Sequence, residues 1–402
     1  MKAKRVLLHV GTPKTGTSYL QDVLFRNRRL LADRGILYPA DRFDAHFLAA
    51  LDLMRLPWGG LEDEAVGAWD RLAEEVRRWP GTAIVSHEIL AHASRTEIER
   101  ALASLGDAEV HLIVSARDLV RQIPAEWQEN VKHRRTIGYA RFLTAIRDPQ
   151  RRSRTASWFW AVQELPDILD RWGATIPPER IHVVTVPKPG SAPTLLWERF
   201  ARTFGLEGIP LDLNVDRANP SLGAPETTLL RRINRTVNGF VKPADYRPLV
   251  RELLAHQTLS KRTNSPRLGV PPEVRTWATA VAIGWVEELA ARGYDVAGDL
   301  EDLLPDESGA PFFDPDHPRE RLVNNAALDV IRALLLENVR LRDAEADLAG
   351  RLEEAERALG RAYLRPSYKL REKAVSKLEH GRLGQGMLGA YRRARGRSSR
   401  SA

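Results

Sequence analysis

The chain's 402 residues are 43% hydrophobic, enough for a large core, and include no cysteine, which excludes a disulfide framework, a thiol nucleophile and a cysteine-ligated metal. The formal charge of +8 is unevenly spread: residues 361–402 carry twelve Lys/Arg against two Asp/Glu, a net of +10, so residues 1–360 stand at −2. The basicity belongs to a tail, and nucleic-acid binding by the body is not expected.

The first element is an apolar strand of Val6, Leu7, Leu8 and Val10 that runs straight into Gly11-Thr12-Pro13-Lys14-Thr15-Gly16-Thr17-Ser18. A helix is predicted from Thr17 to Arg34, ended by Gly35. The loop interrupts the apolar run too early for a secretory leader, and no later run approaches the ~18–20 residues of a membrane span. A soluble cytoplasmic protein is expected, membrane-peripheral at most. Strand, glycine-rich loop and helix N-terminus together make a phosphate cradle: the glycines let backbone N–H groups turn inward and the helix dipole favours an anion. Gly11 and Gly16 have the spacing of a Walker A loop, G-x-x-x-x-G-K-[ST]. Thr17, however, stands where that loop has its lysine, and the lysine is at position 14, ahead of the second glycine.

Short extended Ile36–Pro39 follows, then helical patterns over Ala45–Met54 and Glu62–Trp79, and a strand at Ala83–Ser86. A helix over Thr96–Leu105 leads to a strand at Val110–Ser115, and another helix is predicted from Arg117 to His133. Trp158–Trp172 is helical, Ile181–Val186 extended, and Ala192–Phe204 helical up to Gly205. Strands alternating with helices predict an α/β fold, a parallel sheet flanked by helices, with ligands at the C-terminal strand ends. Residues 224–300 are expected to be all-helical, and Pro305–Pro318 has the Pro, Asp and Gly content of a linker. From Leu328 to Leu359 a heptad places Ile331, Leu352 and Leu359 with Asn338 and Glu345 at one seam position, and Leu334, Leu341, Leu348 and Ala355 at the other. That pattern fits a self-associating coiled coil or an amphipathic helix packed on its own domain. The expected plan is an α/β core over 1–223, a helical subdomain over 224–304, a linker over 305–324, a long amphipathic helix or coiled coil over 325–362, and a basic tail over 363–402. The tail suits an anionic membrane, an acidic partner or a solvated end.

Pro13-Lys14-Thr15-Gly16-Thr17-Ser18 resembles the 5′-phosphosulfate loop of the P-loop sulfotransferases, whose usual form is P-K-[TS/A]-G-T-[TS] and whose donor is 3′-phosphoadenosine 5′-phosphosulfate (PAPS). The resemblance covers roughly residues 5–235, and it implies a P-loop-type sheet with Thr12, Pro13, Lys14, Thr15, Gly16, Thr17 and Ser18 as donor ligands. Lys14 would neutralise charge on the leaving phosphate, so no metal is needed. His87, in Val85-Ser86-His87-Glu88, resembles the Thr-His pair that carries the general base in cytosolic sulfotransferases, and Glu88 could orient it or act itself. Carbohydrate sulfotransferases place the base shortly after the first helix, which makes Asp44 and His46 rivals. Arg117, after the third strand, resembles the family's 3′-phosphate ligand. The serine expected eight residues later is Ala125, leaving Arg121 or Gln122 to compensate. Ser221, in Asn219-Pro220-Ser221-Leu222, resembles a loop of bacterial relatives that returns to the cofactor. Trp127, Trp158 and Trp160 could stack on an acceptor. The resemblance implies sulfuryl transfer to a hydroxyl or amine, with a carbohydrate or cell-surface acceptor expected. A P-loop kinase is the first rival, opposed by the lysine's position and by Val114-Ser115, which ends its strand without an Asp. A non-catalytic scaffold of the same fold is the second.

Overall fold

The computed structural model describes residues 4–214, 221–306 and 311–364, with 366 and 370. Six strands, β1 (Arg5–His9), β2 (Ile36–Leu37), β3 (Thr82–Ser86), β4 (Glu109–Ala116), β5 (Ile181–Thr185) and β6 (Asp295–Ala297), form one sheet in the order β2-β3-β1-β4-β5-β6. Every pairing is parallel. The chain leaves β1 toward one edge of the sheet and leaves β4 toward the other. The loops after these neighbouring strands therefore part at the C-terminal edge, where open parallel sheets bind their ligands.

Alternation along the strands builds two cores. Val6, Leu8 and Val10 pack with Trp69, Trp127 and Trp172 on one face, and Leu7, Ile84 and Ile113 pack with Leu20, Leu24 and Phe200 on the other. A parallel sheet needs both faces covered, and the apolar runs in β1, β3 and β4 reflect that. His9 breaks the apolar pattern for a reason. Fully buried, it meets Ser86 Oγ at 2.8 Å through Nδ1 and Ser115 Oγ at 3.0 Å through Nε2, so its ring ties β3, β1 and β4 together. Burial lowers its pKa to about 4, which keeps the ring neutral.

Several sequence expectations change here. The helix expected over Glu62–Trp79 is two, Glu62–Ala65 and Ala68–Arg78, parted at Gly67 with φ +72°, and the one expected over Trp158–Trp172 is also two, Arg154–Gln163 and Leu165–Gly173, parted at Glu164. The helix expected over Thr17–Arg34 is two helices, Thr17–Arg26 and Arg28–Asp33, broken at Asn27. The Asn27 amide donates to Val23 O and Asp212 O and accepts from Asp212 N at 2.9 Å, competing with the helical ladder. The all-helical reading of 224–300 misses β6, which is only three residues long and lies between Gly293 and Gly298, both at positive φ.

Two compact units meet between Val330 and Ile331. The first holds the sheet, the helices Ala224–Val237 and Pro272–Ala290, and the start of the long Glu320–Leu364 helix, whose Val323, Ala326 and Val330 are buried in its core. Residues in the stretch expected to link are also anchored: Asp316 accepts from Ala140 N at 2.8 Å and pairs with Arg231 at 2.8 Å. In the second unit the described residues continue the same helix. The basic tail lies outside the described residues apart from 363, 364, 366 and 370.

Candidate functional site

The loop after β1 is held from outside by its own carbonyls. Ser115 N and Oγ donate to Gly11 O, Thr15 Oγ1 donates to Thr12 O at 2.6 Å, Gln122 Nε2 to Pro13 O at 2.7 Å, and Arg117 Nη1 to Lys14 O at 3.3 Å. With four successive carbonyls bonded by protein donors, the loop lines a cleft of 1880 Å³ through Pro13, Lys14, Gly16, Thr17 and Ser18. Thr12 and Thr15 are buried and do not line it, and Thr15 Oγ1 also meets Ser115 Oγ at 2.5 Å. The Thr15 hydroxyl is thus used within the loop.

Backbone geometry explains the two glycines. Gly11 has φ +119° and Gly16 φ +91°, both disfavoured for residues with a Cβ. A Cβ on Gly11 would stand 2.8 Å from Glu88 O, and one on Gly16 would stand 2.7 Å from Leu196 Cδ2. Lys14 itself sits at φ +65°, a sparsely populated conformation for a long side chain. Gly16 is the N-cap of the Thr17–Arg26 helix and no side chain caps it, so the helix N-terminus opens on the loop.

Lys14 Nζ makes an ion pair with Glu129, on the helix Leu119–Lys132 that follows β4. Glu129 is also met by His133 Nε2 at 3.1 Å and by Arg251 Nη2 at 3.5 Å. Burial pushes its carboxyl up, but Lys14 and His133 outweigh that and hold it well below the usual range. One turn earlier Glu126, 4% exposed, accepts from Gln163 Nε2 at 3.0 Å, and Gln163 Oε1 accepts from Gln122 Nε2 at 2.8 Å. Gln122 therefore connects Glu126 to the loop carbonyl of Pro13. Burial raises the Glu126 pKa to about 7, against the attraction of Lys14, while Glu129 and Glu88 add to the rise.

The residues expected as bases are placed differently from one another. His87 Nδ1 accepts from Ile89 N at 3.3 Å and the ring stacks on Phe47. In the neutral ring the proton is then on Nε2, which faces Glu88 Oε2 at 3.9 Å. His87 lines the cleft, but its accepting nitrogen is already used, so it is not arranged as a free base. Burial lowers its pKa. Glu88 accepts from Gln21 Nε2 at 2.9 Å, and although burial pushes its pKa up, His87, Gln21 and Lys14 bring it below the ordinary value. His46 donates from Nε2 to Pro39 O and accepts at Nδ1 from Ser86 N, both at 3.0 Å. With both nitrogens occupied and its pKa lowered to about 4 by burial, it is a structural tie. Asp44 lies at the cleft, paired with Arg42.

Arg117 reaches the cleft from the end of β4, bonded to Lys14 O, and its buried Nε has no partner among the described residues. Burial, with Arg121 close by, lowers its pKa to about 10. Asp118, its neighbour, is bonded to Arg121 instead. Among the described residues no carboxylate bonds this guanidinium. Ala125 lines the cleft, but neither substitute for its missing hydroxyl does: Arg121 turns to Asp118 and to Pro187 O at 3.0 Å, and Gln122 to Pro13 O and Gln163. Ser221 is at the cleft, whereas Arg217–Pro220 lie outside the described residues. Of the three tryptophans, Trp127 and Trp160 are core residues bonded to Ile137 O and Ile146 O. Trp158 lines the cleft beside Trp58, their ring centroids 6.0 Å apart.

Sequence reasoning missed Glu126, Glu129, Arg251 and Trp58. A signal for two of them was present: Gln122, Glu126, Glu129 and His133 recur at helical spacing, one polar stripe on the helix after β4. Arg251 comes from the π-helical Arg247–His256, more than a hundred residues further on, and only the fold brings it to Glu129. Among the described residues no group of three or more His, Asp or Glu side chains is arranged to hold a metal ion, and no helix is long and apolar enough to cross a membrane. Comparison with protein-family models, with curated proteins and with solved structures returned no match to this chain.

Proposed function

We propose that this chain is a PAPS-dependent sulfotransferase on a P-loop-type fold, passing a sulfuryl group to the hydroxyl or amine of a carbohydrate or other cell-surface acceptor. The observation that carries the reading is the loop itself. Lys14 is held at φ +65° between two positive-φ glycines, at an uncapped helix N-terminus, with the loop carbonyls already taken up by protein donors. The donor fits the residues present: the glycines allow the positive-φ turns and close protein packing that shape the loop, and the guanidinium of Arg117, a cleft residue, supplies a second cation. Ligand pockets commonly measure about 300–1,000 Å³, so a cleft of 1880 Å³ has room for a nucleotide and an acceptor together.

When bound, the donor would supply the sulfuryl group and a phosphate leaving group. Lys14 and the N–H groups at the start of the Thr17–Arg26 helix stabilise charge on the leaving oxygen. Arg117 grips a phosphate. Trp58 and Trp158, which line the cleft, offer ring faces to a sugar. Glu126 has the proton affinity of a base working near neutral pH, and Gln163 and Gln122 fix it relative to the loop. Glu88, held ionised by His87 and Gln21, adds negative charge beside the lysine.

Radiolabelled sulfate presented as PAPS tests this directly. Transfer to polysaccharide acceptors should proceed in the presence of a chelator. No transfer from PAPS, with phosphate passed instead from γ-labelled magnesium-ATP, would reject the reading in favour of a kinase.

A further inference from the structure

Beyond Val330 the surface of the Glu320–Leu364 helix repeats every seven residues. Its six large apolar seam residues (Ile331, Leu334, Leu341, Leu348, Leu352 and Leu359) are 44–62% exposed. A helix gains most of its stability by burying such a stripe, so a bare one calls for a cover. The flanking charges identify a cover that fits. In heptad terms Asn338 and Glu345 are at position a and Leu341 and Leu348 at d, which puts Glu337, Ala344 and Arg351 at g and Arg342, Ala349 and Glu356 at e.

In a parallel two-stranded coil each g residue faces the e residue five positions further along the other strand. Glu337 then meets Arg342, Ala344 meets Ala349, and Arg351 meets Glu356. Both charged positions are complementary, with opposite polarity, and two-fold symmetry doubles each pair. In the single helix Glu337 turns instead to Arg340, at 2.6 and 2.7 Å. Asn338 meets its own copy, the device by which one buried asparagine fixes parallel register. An antiparallel pairing loses these matches. In the register that brings Glu337 to Arg351, it sets Asn338 against Leu348 and Glu345 against Leu341, and it lays Arg342 on its own copy.

We propose that residues 331–359 form a parallel, in-register two-stranded coiled coil with a second copy of this chain, paired through Asn338. Asn338 gives up some stability for register, and Glu345, also at a, costs more, since two carboxylates meet there.

The chain has no native cysteine, which makes a cross-linking test clean. In full-length Leu348→Cys under a glutathione redox buffer, the parallel coil places the two thiols opposite each other, and a disulfide-linked dimer should form nearly quantitatively. The wild type should sediment as a dimer. Arg342→Glu should weaken it about tenfold or more, and adding Glu337→Arg should restore it. A monomeric wild type would overturn the proposal. So would a dimer in which Leu348→Cys stays uncross-linked, or one indifferent to the charge reversal.

Discussion

Lys14→Ala is expected to abolish sulfuryl transfer and to weaken binding of 3′-phosphoadenosine 5′-phosphate by about 10- to 100-fold. A hydrogen bond to a charged group is worth about 1.5–3 kcal/mol, which alone gives that range. A second effect adds to it. Glu129 is buried and paired with Lys14, so removing the lysine leaves a carboxylate next to the arriving phosphate. His133 and Arg251 still hold Glu129, so the variant should fold, and a urea midpoint close to wild type would confirm it. Lys14→Arg should not rescue, because a planar guanidinium does not replace a compact ammonium at a φ +65° position packed against Glu129. Wild-type nucleotide affinity in folded Lys14→Ala would show that the loop does not hold the donor.

Glu126→Gln is the second large effect, and it has two parts of opposite sign. If Glu126 takes the acceptor's proton, turnover should fall by about 100-fold or more while nucleotide binding is unchanged. The acid limb of the pH–rate profile, near pH 7, should disappear. Stability should move the other way. The folded-state pKa of about 7 lies above the ordinary value of 4.5, so the folded protein binds the proton more tightly than the unfolded chain. The cost of ionising the buried carboxyl is therefore absent below pH 4.5, grows as pH rises, and is complete above about 7. At full extent it is about 3 kcal/mol. Glutamine has no such cost and keeps the bond to Gln163, so the variant should be more stable than wild type at pH 8 and equal to it at pH 4.5. Full turnover with an unchanged pH profile would return the base to Glu88, or to His87 in another tautomer.

How much of this was legible in the sequence differs by element. β1 and the loop after it were readable, because apolar alternation, glycine spacing and the position of Lys14 are all local. The parallel sheet followed from strands alternating with helices. β6 was not readable: three residues between glycines carry no periodicity, and only pairing with β5 makes them a strand. Asn27 looks unremarkable in a helical pattern, and its break depends on Asp212, far along the chain. Residue type alone does not show how a histidine is bonded. A histidine has the residue type of a base whether it is free or bonded at both nitrogens, and His46, in the Ala45–Met54 helix, is the latter. The carboxylates around Lys14 were hidden in a helix whose polar stripe resembles a solvent face until the cleft is seen.

Titration calorimetry with 3′-phosphoadenosine 5′-phosphate, in buffer containing a chelator, tests the central claim most directly. One-site binding in the micromolar range or tighter is expected, about 10- to 100-fold weaker in Lys14→Ala and also weakened in Arg117→Ala. Binding of magnesium-ATP with no measurable affinity for 3′-phosphoadenosine 5′-phosphate would contradict it.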